Sequence, residues 1–454
     1  MLAAVLGGCG RTSGASSADV ADPVEAIAQG MLRGYVPIEQ QLDGKVLPRR
    51  GFGDGICGDS GLRGIQAIYK KRRPANVTVP GGIAAELPSS DPAVYLPAKL
   101  SMLSRPRETQ FMADLQNDPR IDPRIKRMMG TIPPMHQEDV LTREALLEEA
   151  NGPEAVARRE QMESMFELVD NEAIAPSEGL EISEHEFISA PDGNTIKLRL
   201  IRPLSTEPVP CVYYIHGGGM MSMSCFNGLY RAWGKVIAGQ GVAVAMVDFR
   251  NCLTPSSAPE VAPFPAGLND CVSGLKWLAG QAGTLNIDPA HIIVAGESGG
   301  GNLTLATGLK LKRDGNLDLI RGLYAMCPYI AGAWPQERYP SSIENNGLLI
   351  DLHNNHGAMA YGIEAFREGN PLAWPAFATE EEVDGLVPTV ISVNECDPLR
   401  DEGVEFYRLL LRAGVHARCR QVMGTIHGTE VFVVACPDIS RETAASIAQF
   451  CREA

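Results

Sequence analysis

No stretch of this 454-residue chain approaches the ~18 apolar residues that a membrane-spanning helix needs. A long basic tract is also missing, and 40 basic against 55 acidic residues leave a net charge of −15. That balance argues against nucleic acid and anionic membranes as partners. The eleven cysteines, an odd number, include no C-x-x-C pair. This argues against a disulfide framework or a zinc site and for reduced, partly buried thiols in a cytoplasm. Internal repeats are absent as well. Near the start, Leu6-Gly7-Gly8-Cys9 resembles the end of a bacterial lipoprotein signal. It lacks the basic n-region and the long apolar stretch of a signal peptide, so lipidation at Cys9 is the lesser alternative to a cytoplasmic protein.

What is present suits a large α/β protein. Hydrophobic residues make up 44% and charged residues 21%, enough for a sizeable core. Residues 1–111 stand apart: rich in Gly, Pro and Ser, without sustained periodicity, and carrying the basic run Lys70-Lys71-Arg72-Arg73-Pro74. A short helix is expected at 23–32, but the segment as a whole reads as a loosely ordered extension or upstream-derived sequence. A second start-like sequence follows at Met112-Ala113-Asp114-Leu115. Residues 138–170 turn helical, with apolar positions at Met162, Met165, Phe166 and Val169. Runs at 184–190 and 196–202 flank Pro191-Asp192-Gly193-Asn194 and predict a hairpin. Apolar runs at 209–215, 242–247, 292–295, 323–327 and 387–393 then alternate with helical stretches at 229–238, 267–279 and 402–412. Residues 418–423 read as a last strand and 440–452 as a closing helix. Alternating β and α with near-continuous Val/Ile runs means a mostly parallel sheet with helices on both faces.

Chemistry enters at Gly296-Glu297-Ser298-Gly299-Gly300. A serine in G-x-S-x-G between a strand and a helix is a nucleophile elbow, a turn so tight that only small residues fit beside it. Such a serine needs oxyanion donors, an acid and a base. His216-Gly217-Gly218-Gly219 follows a strand, and three glycines leave bare N–H groups; Gly217 and Gly218, with Gly299, are assigned as donors. Asp397 follows the strand at 387–393 and opens Asp397-Pro398-Leu399-Arg400-Asp401, where catalytic groups gather in open α/β sheets. A helix N-cap is the plainer role for it, and Asp401 and Glu395 are the substitutes. Chain order Ser, Asp, His leaves His416 and His427 as bases. His427 is preferred, because it lies in a glycine-flanked loop after the last strand. Neither a metal nor a cofactor is called for.

Two other patterns are set aside. Gly53-Asp54-Gly55-Ile56-Cys57-Gly58 matches G-x-G-x-x-G, but no strand precedes it. Gly58-Asp59-Ser60-Gly61 resembles the serine segment of chymotrypsin-like proteases, whose histidine lies upstream; the first histidine here is His136.

From about 112 to 454 the chain resembles the hormone-sensitive-lipase family of esterases (bacterial family IV) within the α/β-hydrolase superfamily. The matching residues are His216-Gly217-Gly218-Gly219, Gly296-Glu297-Ser298-Gly299-Gly300-Gly301-Asn302-Leu303, Asp397-Pro398-Leu399-Arg400-Asp401-Glu402-Gly403 and His427-Gly428. The segment from Phe249-Arg250 through Pro259-Glu260-Val261-Ala262-Pro263-Phe264-Pro265-Ala266 is similar too. Gly299 departs from the usual alanine, Glu297 from aspartate, and Thr429 from a frequent aromatic. The resemblance implies an α/β-hydrolase fold with a helical cap, activity on short- to medium-chain esters, no cofactor and often a homodimer. Cap helices are expected at 112–178, the catalytic domain at 179–454, and a second cap part at about 334–385. Met220, Met221, Trp334 and Trp374 are expected to line an apolar substrate pocket. An amidase or acyltransferase on the same triad, or a receptor of the same fold that has lost catalysis, are the competing readings.

Overall fold

The computed structural model describes residues 113–129 and 137–454. Cys9, the helix expected at 23–32, the glycine-rich patterns at 53–61, the basic run at 70–74 and Met112 lie outside the described residues.

Eight strands form one sheet in the order β1-β2-β4-β3-β5-β6-β7-β8. β1 (Leu180–Ile188) and β2 (Thr195–Pro203) make the expected hairpin, paired without a break from Leu180 opposite Pro203 to Ile188 opposite Thr195. β2 runs antiparallel to β4 (Ala243–Val247). From β4 onward every pairing is parallel, through β3 (Val209–Ile215), β5 (Ile287–Glu297), β6 (Gly322–Met326), β7 (Thr389–Cys396) and β8 (Ala417–Ile426).

Side-chain alternation explains why β3 is apolar throughout. Cys211, Tyr213 and Ile215 join the core on one face, while Val212 and Tyr214 join the core on the other. The first face is covered by α5 (Ala266–Gln281), α6 (Gly299–Arg313) and α7 (Arg400–Arg412), through Leu275, Leu303 and Leu410 among others. The second face is covered by α4 (Gly228–Ala238) and α8 (Pro437–Glu453), through Trp233 and Ile447.

Three helices precede the sheet: α1 (Pro123–Met129), α2 (Arg143–Asn151) and α3 (Pro153–Glu167). Thr142 caps α2, its hydroxyl accepting from the Ala145 N–H at 3.2 Å. Arg143 ties α2 to the main body by donating to the Cys252 carbonyl at 2.6 Å. α3 buries no residue of its own and docks through its end, where Glu167 accepts from the Gly228 N–H at 2.9 Å. The apolar stripe expected at 162–169 is therefore used only in part: Met162 is exposed, and Val169, beyond the helix, is buried.

Four short helices, Ser341–Glu344, His356–Tyr361, Ile363–Arg367 and Glu380–Val383, fill the long connection between β6 and β7. No helix among the described residues is long and apolar enough to cross a membrane.

Candidate active site

β5 ends at Glu297, and α6 begins at Gly299. Ser298, between them, holds φ 56° and ψ −119°, a strained conformation for a residue with a side chain. The flanking glycines are steric necessities. A Cβ on Gly296 would lie 2.5 Å from the carbonyl oxygens of Ile215 and Gly300, and one on Gly300 would strike the Ile215 carbonyl. The elbow is also locked by backbone bonds: Ser298 N–H donates to Met326 O at 3.0 Å, and Tyr329 N–H to Ser298 O at 3.1 Å. The Ser298 side of the turn is partly exposed, unlike its neighbours.

His427 Nε2 lies 2.9 Å from Ser298 Oγ, and His427 Nδ1 lies 2.8 Å from Asp397 Oδ2. Each member comes from a strand's carboxyl end: Ser298 after β5, Asp397 after β7, His427 after β8. Gly428 follows His427 in the left-handed region, which lets the chain turn away at once. The other Asp397 oxygen accepts from the Leu399 N–H at 2.9 Å ahead of α7, but the residue at the helix N-cap is Leu399, not Asp397. The substitutes are engaged elsewhere. Asp401 accepts from the Ser341 N–H at 2.7 Å, and Glu395 from the Gly424 N–H at 2.7 Å. His416 is exposed on the α7–β8 connection.

Burial by itself would depress the His427 imidazole, but the Asp397 carboxylate outweighs it and holds the group well above its usual range. Cys327 is a neighbour that sequence reasoning missed. Its thiol, an Asp397 oxygen and a His427 nitrogen lie within 4.8 Å of one another, and burial pushes the thiol up to about 11. It therefore stays protonated beside the imidazole at neutral pH.

The glycine loop requires a correction. Gly217 N–H is committed: it donates to Glu297 Oε1 at 2.7 Å and to Tyr230 Oη at 3.0 Å, and the residue is buried. It has no capacity left for a substrate oxygen. Gly218 and Gly219 are partly exposed, and their N–H groups meet no acceptor among the described residues. Gly218, Gly219 and Met220 take φ values of 90°, 65° and 61°, a run of positive-φ residues that makes a tight turn. Gly299 lies against this turn, since a Cβ there would sit 2.5 Å from Met220 N and 2.7 Å from Gly219 N. That contact gives a physical reason for glycine at 299.

Three of the expected pocket residues also need correcting. Trp374 is 0% exposed, Met220 1% and Trp334 3%. A side chain with almost no accessible surface adjoins no space large enough for a water, so in this conformation these three are core. Trp334 stacks on Tyr329 with ring centroids 4.6 Å apart, and Trp374 meets Tyr329, Tyr361 and Phe366 edge-on. Only Met221 remains partly accessible. The organiser of the aromatic group is Glu402, which sequence reasoning also passed over. It accepts from the N–H groups of Ile330 at 2.7 Å and Ala331 at 3.0 Å, and from the Trp334 indole at 2.6 Å.

The architecture is that of an α/β hydrolase, and a family model described as alpha/beta hydrolase fold matches residues 212–431. Esterase Est22 is 65% identical in sequence; the match covers 76% of this chain and all of that one, with a TM-score of 0.75. Brefeldin A esterase, described as a bacterial homologue of human hormone-sensitive lipase, is 34% identical over 75% of this chain and 95% of its own, with a TM-score of 0.67. Carboxylesterase NlhH of Mycobacterium tuberculosis is 29% identical over 339 residues, 73% of this chain and 95% of its own. The chain belongs to the hormone-sensitive-lipase family of α/β hydrolases, and it is a carboxylic ester hydrolase.

Proposed function

We propose that the chain hydrolyses short- to medium-chain carboxylic esters through Ser298, His427 and Asp397, by way of an acyl-enzyme. The observation that carries this reading is the continuous pair of contacts, 2.9 Å and 2.8 Å, from Ser298 Oγ through the imidazole to Asp397. His427 takes the hydroxyl proton as Oγ attacks the acyl carbon. Asp397 holds the tautomer and stabilises the imidazolium that forms. The developing oxyanion is received by the N–H groups of Gly218, Gly219 and Gly299. Each such donor contributes about 3 kcal/mol to the transition state. The proton on His427 then passes to the leaving alcohol, and water enters through the same base to release the acid. General-base action needs the neutral imidazole, so the raised His427 puts the acid limb of the pH profile above its ordinary range.

Substrate class is argued from chemistry and likeness together. Met221, partly accessible and with its side chain against Gly219, offers an adaptable apolar surface at the glycine turn. Among the relatives, esterase Est22 has been solved with p-nitrophenol, an ethyl acetate hydrolase of Pseudomonas putida is 27% identical, and an arylesterase of Saccharolobus solfataricus is 27% identical. Small acyl groups on alkyl or aryl alcohols fit that company. In this reading residues 112–178 and 334–385 serve as the two parts of a cap over the strand ends, residues 179–454 carry the catalysis, and residues 1–111 are an extension that the reaction does not need.

The test is an acyl series from C2 to C12 as p-nitrophenyl esters, run on the wild type and on Ser298→Ala. Hydrolysis strongest at the short end and lost in the variant is the expected outcome. Activity confined to long aggregated lipids, or retained by Ser298→Ala, overturns the reading.

A further inference from the structure

Glu297 takes no part in the proton relay, yet its carboxylate is enclosed and is the meeting point of three hydrogen bonds. Tyr214 Oη donates to it from β3, Tyr230 Oη from α4 at 2.7 Å, and Gly217 N–H from the glycine loop at 2.7 Å. No Lys or Arg bonds to this carboxylate among the described residues, so it is no salt bridge. A carboxylate is an acceptor on every side, and here every contact brings a donor. The fit is also steric, since a Cβ on Gly217 would lie 2.5 Å from Glu297 Oε1.

We infer that Glu297 is a positioning residue that holds the glycine loop in register with Ser298, acting through Gly217 on the N–H groups of Gly218 and Gly219. The inference rests on reading those two N–H groups as oxyanion donors. Its logic is mechanical. Of the three positive-φ residues 218 to 220, the two glycines take that backbone freely, but Met220 carries a Cβ and holds φ 61° only while its surroundings fix it. Downstream the turn is pinned by the Cys252 N–H donating to Met220 O at 2.9 Å. Upstream the pin is Gly217 N–H on Glu297 and Tyr230. Because Glu297 adjoins the nucleophile in sequence, the serine and the loop are tied to the same residue. Glutamate's extra methylene, compared with the aspartate usual in the family, lets one carboxylate reach β3, α4 and the loop together.

The position is not ordinary core filling. Burial pushes the Glu297 carboxyl up to about 7 against the pull of its three donors, a burden that an apolar side chain of similar size would not impose. What an apolar side chain cannot supply is an acceptor for Gly217 N–H.

The experiment compares Glu297→Ala, Glu297→Asp, Tyr230→Phe and Tyr214→Phe on a short p-nitrophenyl ester. Two ligands are added: a trifluoromethyl ketone, which forms an oxyanion on Ser298, and p-nitrophenol, which does not. Glu297→Ala is expected to lower kcat by about 30- to 100-fold, toward the loss of one oxyanion donor, with KM within about threefold. Ketone affinity should fall in parallel, and p-nitrophenol affinity should hold. Glu297→Asp should recover part of kcat. Tyr230→Phe, which removes a partner of both Glu297 and Gly217, should lower kcat by about tenfold; Tyr214→Phe, which does not touch Gly217, by less than about threefold. Glu297→Ala and Tyr230→Phe variants that keep kcat and ketone affinity within about threefold of wild type, whatever their melting temperature, overturn the inference. Should Glu297→Ala fail to fold, Tyr230→Phe carries the test, because it deletes a single oxygen. Ser298→Ala, run alongside, separates the two claims: hydrolysis surviving in that variant would sink the oxyanion reading itself, while its loss leaves the Glu297 result to be judged alone.

Discussion

The carboxyl ends of β5, β7 and β8 and the connection between β6 and β7 are built from similarly buried residues but are ordered by different means. At the strand ends, each side chain of the proposed triad lies within one residue of a strand, and backbone geometry aims it: the elbow at Ser298, the turn at Asp397, the left-handed Gly428 after His427. In the β6–β7 connection no helix exceeds six residues, too short to persist on propensity alone. Packing around Trp334 and Trp374 holds it instead, and Glu402 reaches in from α7 to satisfy its backbone. Even so, Trp374 Nε1 and Tyr361 Oη find no hydrogen-bond partner among the described residues. One region is specified locally and the other by long-range contact. Substitutions in the first should therefore strike turnover, and in the second, stability.

The sharpest separation comes from Ser298→Ala. The variant removes one oxygen from a partly exposed position, so kcat/KM should fall by about 10⁴-fold or more while the melting temperature stays within a few degrees. Paired kinetics and thermal melts check it. A large loss of stability with modest loss of turnover would blur the distinction between the regions.

Glu402→Ala is the mirror case. It strands two backbone N–H groups and an indole N–H in a dry interior, and should cost about 3 kcal/mol of unfolding free energy, read from the denaturant midpoint. Glu402→Gln retains an accepting oxygen and should cost less than half as much. Residual turnover per folded molecule should change little in either variant, because no atom of Glu402 is among the reacting groups.

Gly299→Ala probes where the regions are most tightly spaced. The new methyl would meet Met220 N and Gly219 N at 2.5 and 2.7 Å, both backbone atoms that cannot swing aside. The glycine turn must shift, and kcat should drop by about tenfold with a smaller effect on stability. Unchanged kcat would mean that this loop is softer than the clamp at Gly217 requires.

The same contrast explains what could be read in advance. The strands and the hairpin follow from alternation and apolar runs, which are local signals, whereas the order in which the strands pair does not. The contact between Ser298 and His427 could be expected because a strand-turn-helix elbow read as a nucleophile asks for a base and the chain offers two histidines after Asp397. The glycine assignment slipped by one residue because the acceptors that occupy Gly217 are set by tertiary contact: Glu297 and Tyr230 lie 80 and 13 residues from it in the chain. Spacing within His216-Gly217-Gly218-Gly219 carries no trace of them. Trp334 and Trp374 were misplaced for a related reason. An aromatic in a long connection looks like a pocket wall until the rings that enclose it, from Tyr329 to Phe366, are seen together. Cys327 gave no signal at all, since its role as a neighbour of His427 exists only across strands.

The smallest effect should be a slope of stability with pH, and it tests whether the buried carboxyls of both regions share one cause. Burial is the leading influence on Glu297 and Glu402 and raises them to about 7 and about 8, from an unfolded value near 4.5. Between those limits the folded chain holds protons that the unfolded chain releases, so raising the pH favours unfolding. Stability from each group is complete below its unfolded value and is lost as pH rises through 7 or 8. His427, also raised, acts in the same sense: its contribution is present below about 6.5 and disappears as pH climbs through its folded value. His216 opposes them, because burial lowers it and the folded state resists its charging as pH falls below about 6.5. The melting temperature should therefore rise as pH drops from 8.5 toward about 6.5, and more slowly below that, where His216 opposes the two carboxyls. Replacing Glu402 with Gln should flatten the upper part of that slope and Glu297→Gln the lower part. If both variants keep the wild-type slope, His427 alone accounts for it, and the carboxyls of the two regions do not titrate as their burial requires.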